Sequence, residues 1–72
     1  MARDREQLQV DLNRLLLAVP RYLRAMPDPA DYWPAIAGQA DDILDAAGAE
    51  DHDWANDQIW AILKRYNLTP GD

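Results

Sequence analysis

Three stretches of this 72-residue chain repeat apolar side chains at the spacing of an α-helix, and each is bounded by proline, glycine or a capping acid. In the first, Leu8, Leu12, Leu15, Leu16 and Val19 fall three and four residues apart and share one face. Tyr22, Leu23 and Met26 continue that face in phase beyond Pro20. Proline supplies no N–H to the carbonyl of Leu16 and crowds that turn. The pattern therefore predicts a helix over about residues 5–26, either kinked at Pro20 or built of two collinear pieces with Pro20 opening the second. Asp4 is placed to cap its start, with Gln7 reaching back from the third helical position.

The clearest break is "PDPADYWP", residues 27–34. Asp28 before Pro29 reads as a cap followed by a first helical residue, and Pro34 suggests a second start one turn later. The expectation is a short helical turn at about 29–33 and a second long helix over about 34–47, with Ile36, Ala40, Ile43, Leu44 and Ala47 inward and Gly48 as its stop. Gly38 costs this helix about 1 kcal/mol relative to alanine, which points to close helix packing there. A third helix is predicted over about 53–66, capped by Asp51 or Asp53, with Ala55, Ile59, Ile62, Leu63 and Tyr66 inward. Asn67 suits a left-handed C-terminal position, Leu68 can fold back over the last turn, and Pro70 prevents continuation.

The fold class expected is all-α: one domain over residues 1–72, a small bundle of three main helices. A chain of this length sits near the limit at which one core suffices. Cysteine is absent, so disulfides cannot assist, and completion of the bundle by homodimerisation is the expected remedy. The N-terminal "MARDREQLQV" lacks the apolar stretch of a secretory signal, and the longest apolar run, "LLLAVP", falls far short of the roughly 20 residues of a membrane span. These features predict a cytoplasmic protein with no membrane contact. Arginine in preference to lysine, with no Ser or Phe, points to a GC-rich bacterial or phage coding sequence.

Charge is segregated. The net charge is -6, yet residues 1–25 carry Arg3, Arg5, Arg14, Arg21 and Arg24 against Asp4, Glu6 and Asp11. Residues 26–63 carry only carboxylates: Asp28, Asp31, Asp41, Asp42, Asp45, Glu50, Asp51, Asp53 and Asp57. Neutralising phosphates needs a net cationic face, so direct nucleic-acid binding is excluded as an expectation. A helix-turn-helix reading of the last two helices fails for the same reason, since the end that would enter a groove reads "DHDWANDQ". Capture of a basic partner, or self-association, fits the asymmetry.

Catalytic chemistry is poorly equipped. Ser and Cys are absent, and the single Thr is Thr69 near the C-terminus. His52 stands among Glu50, Asp51 and Asp53, where a carboxylate-oriented base or a metal ligand is conceivable, but an exposed loop histidine beside capping acids accounts for it as well. "EDHDWAND" fails the calcium-loop pattern: counted from Asp51, positions 5, 6 and 12 are Ala55, Asn56 and Ile62, where an oxygen ligand, glycine and glutamate are needed. Counted from Asp41 it fails again at Ile43 and Ala46. No catalytic residue, cofactor or metal is expected, and the chain does not read as an enzyme.

Two surfaces stand out. Trp54 and Trp60 fall on opposite flanks of the third helix, outside its core arc, and Trp60 shares a side with Asn56, Asp57 and Lys64. Tryptophan buries much area with few rotatable bonds, which suits an interface anchor, while packing within the same chain remains the alternative. Asp41, Asp42, Asp45, Asp53, Trp54, Asp57, Trp60 and Lys64 make the candidate partner-binding set, with Trp33 a further anchor. Carboxylates one helical turn apart lie about 5–6 Å from each other at Cβ, close to the spacing of phosphates, so the acids could imitate a nucleic-acid strand. Val10, Arg14, Leu17, Arg21 and Arg24 line the outer side of the first helix and make the candidate self-association set, either packing within the chain or meeting the acidic stripe of a second copy. The function expected is that of a small acidic inhibitor or accessory regulator, of the type carried by phages and mobile elements, whose partner is a protein with a basic or apolar groove. The alternative is a homo-oligomerising scaffold.

Overall fold

Asp4 opens the first helix as its sequence predicts. In the computed structural model, which describes residues 4–68, its carboxylate accepts from the Gln7 N–H at 2.8 Å and the Gln7 side chain accepts from the Asp4 N–H at 3.2 Å. This reciprocal pair satisfies two donors that a helix start leaves open. Helix α1 spans Arg5–Ala25 and runs unbroken through Pro20. The Leu16 carbonyl, which Pro20 cannot serve, accepts from the Tyr66 hydroxyl at 3.2 Å.

Helix α2 spans Pro29–Ala46, with Asp28 accepting from the Ala30 N–H at 3.0 Å. The separate turn at 29–33 and the later start at Pro34 are therefore corrected: both belong to one helix. Pro34 removes a single bond, the one to the Ala30 carbonyl. Ala30 and Pro34 are both exposed, so water can take the place of the missing donor.

Residues 47–51 return the chain to helix α3, His52–Arg65. Asp51 occupies the N-cap position, but its side chain makes no capping bond. Its carboxylate turns instead to Arg5. The far end closes as expected: Asn67 has φ 58°, its N–H donates to the Lys64 carbonyl at 3.0 Å, and the Leu68 N–H reaches the Leu63 carbonyl at 2.8 Å. That paired closure folds Leu68 onto the core. Thr69 and Pro70 lie outside the described residues.

The core takes one stripe from each helix: Leu8, Leu12, Leu15 and Val19 from α1, Ile36, Ala40 and Ile43 from α2, and Ala55, Ile59 and Leu63 from α3, closed by Leu68. Leu16, Leu44, Ala47, Ile62 and Tyr66, expected inward, sit half-buried at the rims of these stripes. Each fully buried leucine stabilises the fold by about 1.5–3 kcal/mol, and no polar or charged side chain among the described residues is buried. The rims carry the polar ties, including the Tyr22 hydroxyl on Gln39 Oε1 at 2.6 Å between α1 and α2. Gly38 does not mark close packing, because a Cβ added there would meet nothing within 4 Å.

Candidate functional site

The acid run of residues 41–57 is divided by the fold. Along α2 successive residues turn by about 100°, so Asp41 and Asp45 lie about 40° apart while Asp42 is displaced toward the opposite flank. Asp42 accordingly lines the groove between α1 and α2, together with Asp11, Arg14 and Gln39. Asp51 is half-buried at the start of α3 and receives two bonds from Arg5, from Nε at 3.2 Å and Nη2 at 2.8 Å. Asp41, Asp45, Asp53 and Asp57 remain exposed, and none of them pairs with a lysine or arginine among the described residues. Asp41 and Asp45 stand late in α2, and Asp53 and Asp57 stand early in α3, with the connector of residues 47–51 between the two helices.

The three tryptophans separate by environment. Trp54 is half-buried against the core, and the Arg5 guanidinium lies over its ring at 4.5 Å from the centroid. Arg5, Asp51 and Trp54 thus form one staple between the N-terminus of α1 and the start of α3, which gives Trp54 a duty inside the chain. Trp33 is half-buried beside Tyr32, with ring centroids 5.9 Å apart. Trp60 is the exposed one, at 39 %. By helical phase it lies on the flank of α3 away from Trp54, and Asp57 and the exposed Lys64 lie on its side of the helix.

The outer face of α1 carries Val10 at 45 % and Leu17 at 64 % exposure. With Trp60 these are the large apolar side chains left in water among the described residues. Arg14, Arg21 and Arg24 are exposed along the same helix, and none lies within ion-pair distance of a carboxylate among the described residues. The basic stripe of α1 and the acids of α2 therefore do not neutralise each other through direct pairs, although Arg14 and Asp42 face one groove.

Groups suited to acid–base or metal chemistry are scattered. His52 is exposed, and its Nδ1 is 3.9 Å from the fully exposed Asp53 carboxylate, beyond hydrogen-bond reach. Among the described residues no three His, Cys, Asp or Glu side chains are grouped to hold a metal ion. An open groove between α1 and α3 is lined by Gln9, Asn13, Leu16, Gln58, Ile62 and Arg65 among others, and no carboxylate, imidazole or hydroxyl lines it. No described helix is long and apolar enough to cross a membrane.

Sequence reasoning missed the Arg5–Asp51–Trp54 staple, because Arg5 stands 46 and more residues from its two partners and nothing local joins it to them. It also missed the partner of the Leu16 carbonyl. The orphaned acceptor itself was predictable from Pro20, and the inward stripe of α3 already contained a residue with a hydroxyl, Tyr66. Comparison with protein-family models, with curated proteins and with solved structures finds no match to this chain.

Proposed function

We propose that this chain acts by binding another protein, as an inhibitor or accessory regulator, through the outer surface of α2 and α3. The observation that carries this reading is the set of exposed carboxylates Asp41, Asp45, Asp53 and Asp57, none paired with a lysine or arginine among the described residues, on the two helices of which α3 also bears the exposed indole of Trp60. Carboxylates held on rigid helices attract a cationic groove at long range. An aromatic anchor among them supplies the desolvated contact that charges alone do not give. A partner that normally grips phosphates has such a groove, and the spacing of these acids suits competition with nucleic acid for it. Asp42 and Asp51 have less part in this surface, the first turned to the α1–α2 groove and the second engaged by Arg5.

The test is capture of partners from a bacterial lysate by the tagged chain, compared across three baits: wild type, a variant with Asp41, Asp45, Asp53 and Asp57 changed to Asn, and Trp60→Ala. The reading expects a specific partner that both variants lose, that high salt releases and that added DNA displaces. A partner retained by the tetra-Asn variant places the contact elsewhere and overturns it.

A further inference from the structure

We infer that the outer face of α1 is a self-pairing surface on which a second copy of this chain docks antiparallel, α1 against α1. The proposal is independent of the acidic face, and a monomer would leave the reading above intact.

Glu6, Val10, Asn13, Arg14, Leu17, Arg21 and Arg24 all lie within about 60° of Leu17 around the helix axis, opposite the buried Leu8, Leu12, Leu15 and Val19. A lone exposed aliphatic side chain is ordinary. Here the two exposed large aliphatics share one stripe, seven residues or two turns apart, about 10.5 Å along the axis. That is the repeat at which one helix face meets another without drifting away from it.

The polar members decide orientation. Glu6 stands at the N-terminal end of the stripe, and Arg21 and Arg24 stand at its C-terminal end. A parallel pair would bring arginine onto arginine and glutamate onto glutamate. An antiparallel pair with its twofold axis beside the 13–14 peptide places Val10 opposite the second copy's Leu17 and Glu6 opposite its Arg21, and the symmetry repeats both contacts. At these four positions the surface is complementary to itself, as a closed dimer requires, while Arg14 and Arg24 leave each stripe net cationic, so the Val10–Leu17 contacts supply the affinity and the Glu6–Arg21 pairs the direction. Arg14, close to the axis, lines the groove that holds Asp11 and Asp42, so its charge has carboxylates of its own chain nearby. The acidic outer faces of α2 and α3 point away from this contact, so the dimer would present two of them.

One helix pair with two aliphatic residues per copy covers less than the roughly 1,200–2,000 Å² of a standard interface. The association is therefore weak and concentration-dependent. Sedimentation equilibrium over roughly 10 μM to 1 mM, the range in which weak complexes form, should show the mass rise from 8.2 kDa toward twice that value. Leu17→Glu, a helix-compatible change at an exposed site, should hold the chain monomeric throughout. Glu6→Arg and Arg21→Glu should each weaken the dimer, and the two together should restore it, because the swapped pair recreates the attraction. Trp60→Ala should leave the dimer unchanged. A wild type that stays monomeric at the highest concentration overturns the proposal, as do association beyond a dimer, a dimer indifferent to Leu17→Glu, and charge swaps whose losses add instead of cancelling.

Discussion

The hydroxyl of Tyr66 donates to the backbone carbonyl of Leu16 at 3.2 Å, and that carbonyl is the one Pro20 leaves without its helical donor. Proline inside a helix costs about 3 kcal/mol or more through the lost bond and ring crowding. The first part of that cost is offset here by the side chain of the residue at the C-cap of α3. Removing the hydroxyl with Tyr66→Phe should destabilise the domain by about 1 kcal/mol. In a Pro20→Ala background the backbone donor returns, so the same Tyr66→Phe change should cost less than half as much. Urea denaturation of the four proteins measures the coupling. Equal costs in both backgrounds would mean that the hydroxyl does not stand in for the missing N–H.

Gly38 sits in the middle of α2, exposed, with open space where a Cβ would lie. Alanine there should stabilise the domain by about 0.5–1 kcal/mol, through helix propensity and a less flexible unfolded chain. The urea midpoint should rise with no change in slope. A fall would show that the added methyl group meets something in the folded chain, contrary to the open space at this position.

Asn67 holds φ 58° at the closure of α3, and its N–H and that of Leu68 satisfy two helix-end carbonyls. Asn67→Ala should cost about 1 kcal/mol, since a left-handed residue with a Cβ is strained by roughly 1–2 kcal/mol unless it is Asn or Asp. Asn67→Gly should be neutral or stabilising. Melting temperatures ordered Ala below Asn, with Gly equal to or above Asn, would match this account. The reverse order would show that the Asn side chain itself makes the important contact.

What was legible in the sequence is what depends on neighbours along the chain. The capping box of Asp4 and Gln7, the three inward stripes and the left-handed Asn67 all follow from spacing and local chemistry, and all stand in the structure. Pro34 misled for an instructive reason. A proline removes one donor, and whether the helix breaks depends on what else can reach the freed carbonyl: solvent at Ala30, Tyr66 at Leu16. That is a tertiary fact. The candidate surfaces were legible in the same measure. Val10, Leu17 and Trp60 were marked as outward by helical phase and are exposed. Trp54, marked as outward too, is covered by Arg5, a residue separated from it by most of the sequence.

The Arg5 staple yields a prediction with two separable parts. Arg5 donates twice to one oxygen of Asp51, and its guanidinium lies over the Trp54 ring, 4.5 Å from the centroid. More than half of the Arg5 side chain is exposed, so the ion pair is screened, and exposed pairs contribute about 0–1 kcal/mol. Stacking over tryptophan adds about 0.5–1 kcal/mol at such a site. Lysine keeps the charge but has neither the fork nor the plane, so Arg5→Lys should cost about 0.5–1 kcal/mol. Loss of the pair also frees Asp51, which stands at the N-cap position of α3 without a capping bond. A released carboxylate can turn to the first amides of that helix and recover part of the loss. In double-mutant cycles, the coupling of Arg5 to Asp51 should therefore be small at low salt and fade at 1 M NaCl, where the screening length is about 3 Å. The coupling of Arg5 to Trp54 should largely persist, because it is made by close contact over a half-buried ring. If both couplings vanished together with salt, the guanidinium would be held by the carboxylate alone, and Trp54 would be released for contact with a partner.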